Sequence, residues 1–315
     1  MDLSIKTKNK LLLFAYDASS ANMTIAYLYW HRELYSSFEI YIDGPALSIY
    51  KNKYTSKIKN IENLSFTKTD TVVTGTSGIN SSYEMNIIKE ATNKNVKKTI
   101  VLVDNCHNFD IRFTLDGNII SSQYAPNEIW VDNNKFISNI SYLNKSIILK
   151  PDFYNNYLYS ILKKCPPKLK HKFTKKYKNK YIVILTEYLY ELYSLKFGYT
   201  EYEMLESILK NINNYNTPVF LKLHPAEHKN KFNILLRKYS NLNIIQDDCD
   251  IDELVYYSNL VFGINSSVFK QCNLYKIPTY SIQINSNRTM IVDSLDKKNI
   301  IYTDLHLNNI LKSVT

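Results

Sequence analysis

Two short motifs hold residue types suited to a phosphate. In the first, Val219-Phe-Leu-Lys-Leu-His-Pro-Ala-Glu-His-Lys229, an apolar run of strand length ends in His224-Pro225. Pro225 has no backbone N–H and disfavours helix for the residue before it, so the strand must stop there, with an imidazole at its carboxyl end. The second is Leu260-Val-Phe-Gly-Ile-Asn-Ser-Ser-Val-Phe269, an apolar strand, a turn containing Gly263, and Ser266-Ser267 opening an expected helix. A helix start offers unpaired N–H groups, hydroxyls and a positive dipole end to an anion. Ligands of open α/β sheets bind outside the carboxyl ends of the strands. The spacing therefore predicts a phosphate site built from His224, Pro225, Gly263, Ser266 and Ser267. Lys222 reaches either that phosphate or the surface, and His228 reads as a surface residue.

The acids are less clearly placed. Thr99-Ile-Val-Leu-Val103 reads as a buried strand running into Asp104. A carboxylate there is costly to desolvate unless it is used or paired, so Asp104 is either a base or the structural partner of Arg112. Asp43, in Asp43-Gly44-Pro45, is the alternative base, although that tripeptide is foremost a turn signal. Small hydroxyl residues follow two other strands: Ser19 and Ser20 after Lys10–Ala15, and Thr76 and Ser77 between Gly75 and Gly78. With Arg112 they are the candidate contacts of an acceptor or of the cleft loops. The Gly75–Gly78 turn lacks the spacing of a P-loop or of GxGxxG. No acid pair or His/Cys group has metal-ligand spacing, and Asp247-Asp248-Cys249-Asp250 reads as a turn and helix start. No metal and no cofactor is expected.

The elements that would carry these residues alternate. Strands are expected at 10–15, 38–42, 71–74, 99–103, 129–131 and 147–151, with helices between them, which is the pattern of a parallel sheet covered on both faces. The composition then changes. From Lys163 to Lys180 the chain is dense in lysine and contains Pro166-Pro167, the signature of a linker. Alternation resumes with strands at 181–185, 219–223, 243–245, 260–263 and 278–282, and Thr200-Glu-Tyr-Glu203 forms a capping box before a helix. The expected division is a Rossmann-like domain over 1–162, a basic linker over 163–180 and a second Rossmann-like domain over 181–315.

Composition limits the function. The chain has 315 residues, 45% hydrophobic and 22% charged, a globular balance that excludes disorder. Four scattered cysteines exclude a disulfide scaffold and a zinc ribbon and fit a reducing cytoplasm. No stretch reaches the ~18 apolar residues of a membrane span. The formal net charge of +10 allows an anionic partner, and the lysine run could lie against an anionic membrane surface. Aromatic residues are sparse in that run, so no nucleic acid is expected as a partner.

Lys222-Leu-His-Pro225 and Gly263-Ile-Asn-Ser-Ser267 resemble, in order and spacing, the His-Pro and Ser-Ser motifs of bacterial sialyltransferases and polysialyltransferases of the GT-B fold. The resemblance covers about half the chain, and the acidic triplet of that family is absent from the first half. It implies α/β architecture with two Rossmann-like domains facing a central cleft. It also implies a metal-independent, inverting glycosyltransferase with a CMP-sugar donor and a glycan or glycolipid acceptor, working at the inner face of a bacterial membrane on a surface glycan such as lipopolysaccharide or capsule. Within it, Asp104 would be the base, and His224, Ser266 and Ser267 would hold the departing phosphate. Three other readings fit the same motifs or charge: a CDP-glycerol-type transferase, a nucleotide-sugar epimerase that turns over without an acceptor, and a non-catalytic basic module binding membrane or polyanion.

Overall fold

The computed structural model describes residues 7–54, 57–76, 81–104, 112–115, 117–132, 134, 137–143, 145–164, 166–196, 198–212, 217–245, 249–284, 292 and 294–314. The chain divides into two compact units, Met1–Tyr157 and Leu158–Thr315. Both are α/β, and every strand pair in their two main sheets is parallel.

In the first unit, β1 (Thr7–Ala15), β2 (Tyr35–Ile42), β3 (Ile58–Lys59), β4 (Thr71–Thr74), β5 (Lys98–Leu102), β8 (Glu128–Val131) and β9 (Ser146–Leu149) form one sheet in the order β3-β2-β1-β4-β5-β8-β9. A small antiparallel hairpin, β6 (Thr114–Leu115) with β7 (Asn118–Ile119), lies apart from it. Residues 11–15 of β1 are fully buried, which is why a continuous apolar run suits this central position better than an alternating one. Helices Ala18–His31 and Tyr83–Asn93 follow β1 and β4. The second of these lays Met85, Ile87, Ile88 and Ala91 on a core shared with Leu12, Phe14, Val72 and Val101. Gly75 is needed where β4 ends, because a Cβ there would stand 2.5 Å from the Ser20 Cα.

In the second unit, β10 (Ile182–Leu185), β11 (Val219–Lys222), β12 (Leu242–Ile245), β13 (Leu260–Gly263), β14 (Thr279–Ile282) and β15 (Ile300–Ile301) run in the order β12-β11-β10-β13-β14-β15. Strand alternation splits the apolar residues between two faces. Ile182, Ile184 and Leu221 join Leu205, Ile208, Leu209, Ile212, Leu307 and Leu311 from helices Glu201–Ile212 and Asp304–Val314. Val183, Leu185 and Phe220 face the other way, onto Leu254, Val255, Phe269 and Cys272. Burying each such side chain contributes about 1.5–3 kcal/mol. The capping box is present, with the Thr200 N–H donating to Glu203 Oε2 at 2.7 Å and the Glu203 N–H to Thr200 Oγ1 at 3.4 Å.

The basic stretch is structured where it is described. Lys172–Tyr177 is a helix that packs Phe173 and Tyr177 on the second unit's core. Glu253 anchors the stretch, with its Oε1 accepting the Lys170 and His171 N–H groups, both at 2.8 Å, and the Thr174 hydroxyl. Among the described residues no helix is long and apolar enough to cross a membrane.

Candidate functional site

The sheet register of the second unit sets three residues side by side. Leu185 pairs with Lys222 across β10 and β11, and Ile184 with Phe262 across β10 and β13. Two steps past Leu185 and Lys222 the chain reaches Glu187 and His224, and at the same level beyond β13 it reaches Asn265 and Ser266. His224, Glu187 and the Asn265–Ser266 turn therefore form a row at the carboxyl ends of three adjacent strands.

His224 is held by its backbone and one ring nitrogen. Its N–H donates to Glu227 Oε2 at 2.8 Å and Thr186 Oγ1 at 3.2 Å, and its Nδ1 accepts the Ala226 N–H at 3.2 Å. The residue as a whole is exposed. Desolvation where the ring meets the protein, then the Lys222 and Lys231 ammoniums, lower its pKa from the ordinary histidine value. The hydrogen bond agrees with that direction, because an N–H can donate only to an unprotonated Nδ1. The neutral ring then carries its proton on Nε2, ready to donate to an anion without adding a charge.

The Glu227 carboxylate that holds His224 belongs to a larger cluster. Lys231 Nζ lies 2.8 Å from Glu227 Oε1 and 2.9 Å from Glu191 Oε1, and it also pairs with Glu201. The Lys231 side chain is 3% exposed, and those of Glu201 and Glu227 are 0% exposed. Burial alone would lower the Lys231 pKa, but the hydrogen bonds to Glu201, Glu227 and Glu191 override it and raise it. The rings of Tyr202, Phe232 and Tyr188 lie 5.1, 5.3 and 5.8 Å from the same ammonium. The His224 loop is thus fixed through Glu227 to a buried charged hub.

Glu187 holds the other side of the row. Its Oε1 accepts the backbone N–H groups of Ile264 (3.2 Å) and Asn265. Burial pushes its carboxyl up to about 7; these two donors oppose the shift, and the charges of Glu201 and Glu227 add to it. Ser266 Oγ accepts the Val268 N–H at 3.3 Å. The helix expected to start at the Ser pair starts at Phe269 and ends at Leu274, so the turn and not a long helix dipole supplies the donors here. Gly263 is required by packing: a Cβ would stand 2.9 Å from the Phe269 ring and 3.3 Å from the Leu185 carbonyl oxygen. Lys222 Nζ donates to the Leu223 carbonyl at 3.4 Å, and Pro225 is exposed.

In the first unit, Asp104 is partly buried and forms an ion pair with Arg112, Oδ1 to Nη1 at 2.6 Å; Arg112 also donates to Thr76 Oγ1 at 2.5 Å. Of the two readings of Asp104, the paired one is what the geometry contains. Thr76 and Ser20 are buried. Ser20 Oγ donates to Glu84 Oε1 at 2.9 Å, and so does the Tyr16 N–H, also at 2.9 Å. These two hydroxyls pack the strand-end loops together, whereas Ser19 is partly exposed. Asp43 Oδ1 accepts the Gly44 N–H at 2.7 Å, and Gly44 adopts φ +55°, the turn that the tripeptide signals. Ser77 lies outside the described residues. Among the described residues no group of three or more His, Cys, Asp or Glu side chains could hold a metal ion.

Sequence reasoning missed Glu187, Glu227, Lys231 and Thr186. Thr186-Glu187 directly follows an apolar strand, the same signal that singled out His224. Lys231 carries little local signal: Glu227 stands four residues before it, but Glu191 and Glu201 come from separate segments.

No known family profile matches the chain, and no curated protein matches it. Its fold is similar to solved nucleotide-sugar epimerases. The Methanocaldococcus jannaschii UDP-GlcNAc 2-epimerase in complex with UDP-GlcNAc and UDP is 12% identical with TM-score 0.64, over 97% of this chain and 92% of that one. The Neisseria meningitidis UDP-GlcNAc 2-epimerase bound to UDP-GlcNAc is 11% identical with TM-score 0.64, over 97% and 91%. The S. aureus MnaA–UDP structure is 10% identical with TM-score 0.59, over 97% and 88%. The fold is accordingly GT-B-like, with two Rossmann-like units.

These likenesses correct the reading drawn from the motifs. The matched structures include several UDP-GlcNAc 2-epimerases, so the sialyltransferase resemblance and the glycosyltransferase activity attached to the motifs fall. The CMP-sugar donor falls with them, because the matched structures hold UDP-GlcNAc and UDP. The physical reason is that His-Pro and Ser-Ser at strand ends report phosphate chemistry, which CMP- and UDP-sugars share.

Proposed function

We propose that this chain is a nucleotide-sugar epimerase: it binds a UDP-linked sugar and inverts a stereocentre of that sugar without an acceptor. The observation that carries the reading is the row of His224, Glu187 and the Asn265–Ser266 turn, on a fold whose solved counterparts hold UDP or UDP-GlcNAc. In this reading His224 Nε2–H and the Ser266 and Ser267 hydroxyls contact the diphosphate. A neutral imidazole donor gives up less hydration than a cation would on entering a closed site.

The test is to incubate the protein with UDP-GlcNAc alone in D2O and follow the sugar by proton NMR. The expected result is a second epimer and deuterium at the inverted carbon, with no acceptor added. In parallel, UDP at a hundredfold excess over Kd should stabilise the native state by about 2.7 kcal/mol, and His224→Ala should abolish that shift. If neither UDP nor a UDP-sugar stabilises the protein or is turned over, the reading is wrong.

A further inference from the structure

We propose that Glu187 is a substrate-contacting proton donor of the phosphate site: it takes up a proton when a nucleoside diphosphate binds, and donates it as a hydrogen bond to a phosphate oxygen. This rests on the nucleotide-sugar reading and deepens it.

Geometry carries the argument. Glu187 stands in the middle of the row, between His224 on the β11 side and the Asn265–Ser266 turn on the β13 side. Its two oxygens are used unequally. Oε1 is committed to the Ile264 and Asn265 N–H groups, whereas no hydrogen bond reaches Oε2 among the described residues. The residue is partly exposed, so Oε2 can meet a ligand. Oε1 therefore suits the carbonyl oxygen of a protonated carboxyl and Oε2 the hydroxyl. The carboxylate also occupies two backbone donors that an anion at this turn would otherwise use. An ionised Glu187 beside a diphosphate would set like charges together, which favours protonation.

The other groups facing Glu187 push the same way. Glu227 from the His224 loop and Glu201 from helix Glu201–Ile212 both favour its neutral form, and the Tyr199 phenol also faces it. Lys231 is already committed to Glu191, Glu201 and Glu227. With the free carboxyl titrating at about 7, the proton comes from solvent: one H⁺ is taken up, the Oε2–H bond forms, and no other bond changes.

The experiment is calorimetric titration of UDP at pH 6.5, 7.5 and 8.5, in buffers of differing ionisation enthalpy. A phosphate group with a second pKa near 6 leaves UDP nearly fully ionised at the upper two values. We expect uptake of up to about one proton per UDP at pH 8.5, less at pH 6.5, and a Kd that weakens up to about tenfold from pH 7.5 to 8.5. In Glu187→Gln, which keeps the Oε1 acceptor, uptake should vanish and the Kd should become flat over that range. If wild type takes up no proton at pH 8.5, or if Glu187→Gln keeps the wild-type uptake and slope, the proposal is overturned while UDP binding stands. If wild type binds no UDP, the nucleotide reading fails and takes this role with it.

Discussion

Replacing Lys231 by Met tests whether the charged hub holds the second unit together. Methionine keeps most of the aliphatic stem and removes the ammonium. Glu201 and Glu227, both 0% exposed, then face each other and Glu191 without a cation. Removing one partner of a buried pair costs about 3–5 kcal/mol, chiefly because the remaining charge is stranded. The lost contacts with the Tyr202, Phe232 and Tyr188 rings lie within the same range. With a urea slope of about 2 kcal/mol per M, the midpoint should fall by roughly 2 M. The loss should also depend on pH. In the variant the stranded glutamates have folded pKa values above their unfolded ones, so the folded state binds more protons and stability falls as pH rises from the unfolded value towards the folded one. In wild type the raised Lys231 pKa contributes stability that is fully present below the unfolded lysine value, so it does not vary in this window. Urea unfolding at pH 5 and pH 8, followed by circular dichroism, should show a gap between the two proteins that widens at pH 8. A midpoint within about 0.3 M of wild type, or the same gap at both pH values, would refute the reasoning.

Other substitutions probe separate parts of the molecule. Arg112→Leu removes the ion pair of the partly buried Asp104 and should destabilise the protein by about 3 kcal/mol, read as a lowered urea midpoint; adding Asp104→Asn should restore part of it. Gly75→Ala forces a Cβ against the Ser20 backbone and should cost about 1–3 kcal/mol, seen as a lower Tm. Glu253→Ala removes the acceptor of three donors and should make residues 166–171 a new site of limited proteolysis, whereas Glu253→Gln should protect them in part.

The fold was largely legible in the sequence, because parallel strands buried on both faces are continuous apolar runs. Lys10–Ala15, Thr71–Thr74, Val219–Leu223 and Leu260–Gly263 were expected as strands, and each is one to within two or three residues. The two-residue strands Ile58–Lys59 and Ile300–Ile301 were not legible, since a pair of residues has no periodicity. In the candidate site, the end of a strand at Pro225 follows from local sterics, and His224 could be placed from it. Ser20 and Thr76 read as open hydroxyl loops because nothing local announces that Glu84 and Arg112 cover them. The Lys231 hub was invisible for the same reason: each of its charges alone looks like a solvated surface residue. The identity of the nucleobase was equally out of reach, since the motifs specify only a phosphate.

The strand orders also bear on how the chain assembles as it is made. In each unit the first strand synthesised, β1 or β10, ends up inside its sheet, and each later strand of that sheet joins an outer edge. No strand has to be threaded between two that are already paired. Assembly can therefore follow synthesis from the amino terminus, with each sheet growing first on one flank and then on the other. The pairings most distant in sequence, β1 with β4 and β10 with β13, mark the two points where growth changes flank, and their loop closure is where the slowest step of each unit is expected.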